Sequence, residues 1–240
     1  MDAGRGEVLV SAAVLRAVLA FGAIWLGLLL VPAAREIVAS QMQSLPDALR
    51  RQLPIGLLSG AVLVAVDVAL LQGLGAVKVE GIHRAALSLV ALSLLVVAFL
   101  ALTEEMVFRG VLFTRLEERA GAVTAVLATA LLFSVFHFVG RPFSWSQALT
   151  YLLDGLFLAG LVWWTRDLWT AVGWHVAKNA AVGQTFGGSY RLNEPLLRIH
   201  EVAADRVPRP AALAADFLAF AVSVALCLAL LWLTRRAGDV

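Results

Sequence analysis

Seven long apolar stretches do most to limit what this chain can fold into. They lie near residues 9–33, 54–76, 84–108, 122–139, 147–165, 168–184 and 211–234. A helix needs about twenty apolar residues to cross a bilayer. Hydrophobic residues make up 61% of the chain and charged residues 15%, whereas soluble domains have about 45–50% and about 25%. The pattern predicts an all-α, polytopic membrane helical bundle with about seven transmembrane helices.

The connections between these stretches leave little room for a separate soluble domain, so residues 1–240 are predicted to form one integral-membrane domain. Residues 35–53 have apolar positions at roughly helical spacing, which predicts either an amphipathic helix on the membrane surface or an ordinary polar connection. The longest polar segment is 185–210. The first apolar stretch exceeds the usual apolar core of a signal peptide, and Asp2 and Glu7 interrupt its leader, so we interpret it as a retained span.

Charge argues against one class of partner, and cysteine content excludes one kind of cross-link. The formal net charge is +2 and there is no basic run, which argues against nucleic acid. Cys227 is the only cysteine, so the chain cannot form an internal disulfide.

Loop Lys and Arg residues divide equally between the two sides of a seven-span arrangement, so the positive-inside rule does not select an orientation. Frequent Ala, Leu and Arg residues favour a high-GC bacterial gene, and we expect a bacterial plasma membrane.

The segment "TEEMVFRG" places charges next to an apolar stretch, where charges are costly and often mark function. Glu105 and Arg109 are four residues apart, so on a helix they share a face and can form an ion pair. Glu104 is rotated about 100° from Glu105, and Phe108 occupies the position four residues after it. The spacing predicts one structural carboxylate and one that is free to act as a general base. The alternative is a charged cluster that only ends a span.

Polar residues also interrupt two later apolar stretches. His137 lies in "FSVFHF", and His175 and Asn179 lie in "WHVAKN". His175 and Asn179 share a helix face, so imidazole and amide can both donate hydrogen bonds to a developing oxyanion. Phe133 precedes His137 by the same four-residue spacing, and its ring can form a pocket wall. For each histidine alone, the alternative is a buried side chain bonded to a neighbouring carbonyl.

Together these segments resemble the motifs of a known family. "EEMVFR", "FSVFH" and "HVAKN" are similar to the Glu-Glu-x-x-x-Arg, Phe-x-x-x-His and His-x-x-x-Asn motifs of the CPBP intramembrane proteases. That family includes the CAAX prenyl endopeptidases of the Ras-converting type and the bacterial bacteriocin-processing and self-immunity (Abi) proteins. The resemblance covers a motif core at about 100–182, and every motif residue is present.

The resemblance implies an intramembrane endopeptidase that is glutamate-dependent. Its substrate would be a membrane-associated protein or peptide, either prenylated and of CAAX type or unmodified, cut near the C-terminus. Glu104 and His137 would activate a water molecule for attack on a peptide carbonyl. His175 and Asn179 would stabilise the resulting oxyanion.

Two further motif residues, Glu105 and Arg109, would hold the architecture of the site. The resemblance implies no metal and no other cofactor. Zinc is the alternative, with Glu104, His137 and His175 as ligands, because two histidines and one glutamate form a known catalytic zinc set. The implied partners are the lipid bilayer and a protein or peptide substrate, and not nucleic acid.

Two other functions are compatible with parts of the sequence. Asp67, Asp154 and Lys178 are charges inside apolar stretches and could form the relay of a proton-coupled transporter, although no inverted repeat is recognisable. A catalytically silent membrane scaffold is the other alternative. A scaffold has no reason to retain all four residues that the resemblance assigns to catalysis, so the sequence favours the protease.

Overall fold

Helices account for most of the described chain, which in this computed structural model comprises residues 3–82, 87–139, 141–183, 197–201 and 209–237. A π-helical segment, Met106–Leu112, lies between the helix that ends at Glu105 and the helix that begins at Phe113. The α-helices are α1 (Ala3–Leu30), α2 (Pro32–Gln43), α3 (Leu45–Ala48), α4 (Gln52–Gly73), α5 (Leu87–Glu105), α6 (Phe113–Ala120), α7 (Ala122–Phe136), α8 (Trp145–Thr165), α9 (Trp169–Val182) and α10 (Arg209–Ala237).

Within the described residues, four helices are long and apolar enough to cross a membrane: Gln52–Gly73, Val90–Ala120, Trp145–Thr165 and Pro210–Arg236. A fifth span results if the bent pair of α1 and α2 is counted as one. Helices α7 and α9 have 15 and 14 residues. At 1.5 Å per residue they rise only about 22 Å, less than the hydrocarbon core of about 30 Å. The helical membrane class is therefore confirmed, whereas the count of seven transmembrane helices is not.

The third apolar stretch continues further than predicted. The sequence placed its end near residue 108, but the helical run extends through α6, so that Val90–Ala120 is one candidate span. Glu104 and Glu105 consequently lie in the middle of the span and not at its end. The charges do not end the helix because Glu105 is neutralised by Arg109 one turn later. The run ends at Gly121, whose φ of +84° is readily accessible only to glycine.

The all-α prediction omits one small sheet, in which β1 (Val77–Ile82) pairs antiparallel with β2 (Leu197–Glu201). In β1 the buried Val77 precedes the exposed Lys78, which is the alternation of a half-buried strand. A register shift between Val79 and Gly81 marks a bulge. Most of the predicted polar segment 185–210 lies outside the described residues.

The prediction of a helix within residues 35–53 is confirmed by α2 and α3, whereas its position on the membrane surface stays a prediction. Val31 is extended and Pro32 begins α2, which bends away from α1 by 104°. Proline suits the first helical turn because its missing N–H has no partner there. Ala34 and Val38, four residues apart, form the buried face of α2.

The chain comprises two compact units. The first consists of Met1–Ala23, Ile55–Ala101 and Gly173–Val240, and the second of Ile24–Pro54 and Leu102–Val172. Because segments of the two units alternate along the chain, neither is a continuous stretch of sequence. The organisation of residues 1–240 as one domain stays a prediction.

In the first unit, hydrogen bonds connect α9 to two other helices. The indole Nε1 of Trp174 donates to Ser223 Oγ of α10 at 2.8 Å, and Ser223 Oγ donates to the carbonyl oxygen of Ser59 in α4 at 2.7 Å. All three residues are fully buried. Buried polar groups are costly unless they are hydrogen bonded, so this chain of bonds stabilises the position of α9.

In the second unit, the start of α9 is capped by Asp167. Its Oδ1 accepts hydrogen bonds from the backbone N–H groups of Trp169 at 2.8 Å and Thr170 at 3.3 Å. Burial raises the pKa of the Asp167 carboxyl, and these two hydrogen bonds oppose the rise. The indole of Trp169 donates to Gln41 O and Ser44 Oγ. The beginning of α9 is therefore also attached to the end of α2.

Helices α7 and α8 approach closely in the second unit because small residues meet at their crossing. A Cβ atom added to Gly155 of α8 would lie 2.9 Å from the Cα of Ala130 in α7. Ser134 Oγ of α7 donates to the carbonyl oxygen of Ala148 in α8 at 2.9 Å. Two separate contacts therefore fix the position of α8 along α7.

We expect Gly155→Ala to destabilise the protein, since the added methyl group forces two backbones apart. Overpacking typically costs about 1–3 kcal/mol, more than the gain of about 1 kcal/mol from replacing a helical glycine by alanine. Gly160→Ala on the same helix is the matched control, because its Cβ would enter open space. Thermal unfolding in detergent should show a lower Tm for Gly155→Ala and an unchanged or higher Tm for Gly160→Ala. Equal shifts would contradict the close approach.

Candidate active site

The ion pair expected from the spacing of Glu105 and Arg109 is present. Arg109 Nη1 donates to Glu105 Oε1 at 2.9 Å, and both side chains are completely buried. Taking two charges out of water is expensive, and removing only one of them leaves the other uncompensated. Replacing only one of the two residues should therefore destabilise the protein more than replacing both.

Arg109 also connects the π-helical segment to two neighbouring helices of the second unit. Its Nη2 donates to the carbonyl oxygen of Gly155 in α8 at 3.3 Å. Its Cζ lies 4.2 Å from the centre of the Phe133 ring in α7, a cation–π distance. The carboxylates of Glu105, Glu104 and Asp154 all act on the Arg109 charge. The guanidinium is thus the central cation of this cluster.

The π-helical segment was not predicted from the sequence. At its end the backbone N–H of Phe113 bonds to the carbonyl oxygen of Phe108, five residues earlier. Such wide turns are rare and occur frequently at functional sites. Hydrophobic periodicity does not distinguish one wide turn from the α-helix around it, so the apolar pattern gave no signal for the segment.

The two adjacent glutamates have different surroundings. The Glu105 side chain has no exposed surface, whereas 13% of the Glu104 side chain and 16% of the His137 side chain remain exposed. Glu104 Oε2 lies 3.8 Å from His137 Nε2, longer than a direct hydrogen bond. Glu104 is therefore the more exposed carboxylate of the pair, although its Oε2 atom is itself buried, and His137 is its close neighbour.

The hydrogen bond at the other ring nitrogen defines the tautomer of His137. Nδ1 lies 2.8 Å from the carbonyl oxygen of Phe133. A carbonyl oxygen only accepts, so Nδ1 carries the proton in this bond. The neutral ring then presents Nε2 as an acceptor, on the side of Glu104.

Tyr151 of α8 is a site residue that the sequence reasoning missed. Its ring stacks on the imidazole of His137, with centroids 4.1 Å apart and planes inclined by 26°. Tyr151 lies three residues after Ala148 and four before Gly155, so all three share the α8 face that meets α7. The sequence does not show which face of α8 packs against α7. A single tyrosine in an apolar stretch therefore does not indicate a site residue.

His175 and Asn179 belong to the first unit and lie four residues apart on α9, whereas the other four predicted site residues belong to the second. His175 is 3% exposed, and Asn179 is exposed. An exposed amide on the same face as a buried imidazole is available to a bound molecule.

The intramembrane charges of the transporter alternative have local surroundings of their own. Asp67 of α4 and Asp216 of α10 interact electrostatically with each other and with Lys178. Lys178 Nζ lies 5.3 Å from the centre of the Trp174 ring. Asp154 is buried in the second unit, where it acts on Arg109.

Across the described ranges, no group of three or more His, Cys, Asp or Glu side chains is arranged to hold a metal ion. Zinc, with Glu104, His137 and His175 as ligands, stays the alternative to the prediction that no metal is required.

The long apolar helices and the buried charges of the motif segments define a helical integral membrane protein. Residues 86–181 match the model of a family described as type II CAAX prenyl endopeptidase Rce1-like, and the match spans all three motifs. The match confirms the resemblance recognised from the motifs, and this part of the chain is similar to Rce1-like domains of the CAAX protease family. Comparison with curated proteins and with solved structures gave no match. The family that this region matches is one of peptidases.

Proposed function

We propose that this protein is an intramembrane endopeptidase that hydrolyses a peptide bond near the C-terminus of a membrane-associated protein or peptide. The observation that supports the proposal most is the pairing of Glu104 with His137 at 3.8 Å, inside the Rce1-like region. A carboxylate and an imidazole acceptor at this distance can both contact one water molecule, at about 2.8 Å from each.

In the proposed reaction, Glu104 acts as the general base. It takes a proton from the water while His137 Nε2 accepts the second hydrogen of that water and orients it. The hydroxide oxygen attacks the peptide carbonyl carbon, and the carbonyl oxygen becomes an oxyanion. Glu104 then returns its proton to the amide nitrogen as the C–N bond breaks, which leaves a carboxylic acid and an amine. The acid then transfers its proton to the amine, so the products are a carboxylate and an ammonium group.

Glu105 and Arg109 support this division of roles. Because Glu105 neutralises Arg109 in the closed interior, Glu104 is the more exposed carboxylate and the one that we assign to the reaction. We propose that the pair is structural and that it positions the helical run on which Glu104 lies.

The family resemblance assigns stabilisation of the oxyanion to His175 and Asn179, and we adopt that assignment. Asn179→Ala should lower kcat by about 10²–10³-fold, the usual cost of losing one oxyanion donor. KM should stay nearly unchanged, because the bond strengthens only as charge develops. Lys178→Met is the control. It keeps an apolar stem beside Trp174 and removes a charge from the Asp67 and Asp216 cluster, so it should change the Tm more than kcat. A rise in KM alone for Asn179→Ala would contradict the assignment.

The substrate class follows from the family description and not from the site geometry. A CAAX terminus is a cysteine, two aliphatic residues and a variable last residue, with the cysteine prenylated. The residue usage of the chain favours a bacterium, so we propose that unmodified membrane peptides are as plausible as prenylated ones. Incubating the purified protein in detergent with a peptide library that contains farnesylated and unmodified members tests the proposal. Cleavage near the C-terminus supports it, and an uncleaved library supports the scaffold.

The proposed chemistry requires no metal. Dialysis against a chelator should leave turnover largely unchanged, and elemental analysis of the active protein should find no stoichiometric zinc. Complete loss of activity that zinc alone restores would instead make Glu104, His137 and His175 metal ligands.

A further inference from the structure

The proposed chemistry requires one orientation of the His137 imidazole. Helix α7 alone does not fix that orientation. His137 is the residue that follows the last turn of α7, so one side of the ring lacks a following helical turn. The bond from Nδ1 to the Phe133 carbonyl fixes one atom of the ring. Rotation about the axis through that bond would still move Nε2 away from Glu104.

Two aromatic rings contact the imidazole and restrict this rotation. The Phe133 ring meets the imidazole at an edge, with centroids 4.5 Å apart and planes at 62°. The Tyr151 ring lies nearly parallel to it at 4.1 Å. Tyr151 is itself placed by α7–α8 contacts before and after it in sequence, at Ala148 and Gly155.

On the basis of the function proposed above, we propose that Tyr151 is a positioning residue whose ring, stacked on His137, keeps Nε2 directed toward Glu104. The phenol oxygen has no part in this role. A planar ring at position 151 is therefore required, and its hydroxyl is not.

Three variants test the proposal with the farnesylated or unmodified peptide that the library identifies as cleaved. Tyr151→Leu should lower kcat by roughly ten- to a hundredfold with KM nearly unchanged, because misplacing a catalytic group by about 1 Å can cost about 10²-fold. Tyr151→Phe should keep kcat within about threefold of wild type, since it keeps the ring. Phe143→Leu is the matched control, because the Phe143 ring contacts Phe138 and Trp145, and it should leave kcat unchanged.

A double-mutant cycle separates positioning from general packing. In a His137→Ala background, Tyr151→Leu should cause no further loss of the residual kcat, because the group it positions is gone. A loss for Tyr151→Phe equal to that for Tyr151→Leu, an effect on KM alone, or an additive loss in the His137→Ala background would each overturn the proposal. If Tyr151→Leu fails to fold, Tyr151→Phe and Tyr151→Met decide by the same criteria. Glu104→Gln is assayed in parallel: an active Glu104→Gln refutes the proposed function, whereas an inactive one with a fully active Tyr151→Leu refutes only the role of Tyr151.

Discussion

Glu104→Gln is expected to abolish peptide cleavage while leaving the protein folded. Glutamine has nearly the same shape but cannot accept a proton from water, and general base catalysis typically contributes about 10²–10⁴-fold to the rate. The Glu104 side chain is partly exposed and the buried ion pair uses Glu105 instead. Thermal unfolding in detergent should therefore give a wild-type Tm. Cleavage followed by mass spectrometry measures the loss, and near wild-type turnover would refute the assignment of Glu104 as base.

The neighbouring substitution, Glu105→Gln, should mainly lower the stability of the protein, whereas Glu104→Gln should mainly lower its activity. It removes the charge that neutralises a completely buried Arg109, and breaking a buried pair typically costs about 3–5 kcal/mol. We expect a large drop in Tm or in the yield of folded protein. Glu104→Gln is the matched control, because it makes the same chemical change one residue away.

A second substitution makes this prediction more specific. An apolar variant, Glu105→Leu, should also lose stability because it leaves the Arg109 guanidinium uncompensated. Adding Arg109→Met to Glu105→Leu should then recover part of the lost stability, because apolar replacement of a whole buried pair is often neutral. A double-mutant cycle of Tm values measures this coupling. Additive losses would show that Glu105 does not stabilise the protein through Arg109.

The ion pair was predictable because four-residue spacing has a fixed meaning on a helix. Glu105 and Arg109 share a face whether the helix is α or contains one wide turn, and the apolar length of each segment identified it as helical. The family was recognisable for a related reason. Three short motifs on separate helices must all be satisfied, and all of them lie in the part of the chain that matches the Rce1-like family.

Tertiary contacts explain what the sequence could not supply. The end of the third stretch was misplaced because the burial of Arg109 against Gly155 and Phe133, and not local hydropathy, lets the helical run continue past the charges. The count of seven spans is not confirmed because α7 and α9 are apolar but short. Tyr151 was missed because its role depends on which face of α8 meets α7.

The most direct test of the central claim is a single-turnover cleavage in water labelled with heavy oxygen, with enzyme in excess over a peptide from the library. If Glu104 and His137 activate water for direct attack, the new C-terminal carboxylate should carry one labelled oxygen in the first turnover. Glu104→Gln should give no product under the same conditions. An unlabelled first-turnover product would show that a protein carboxylate attacks the peptide itself, and would contradict the account.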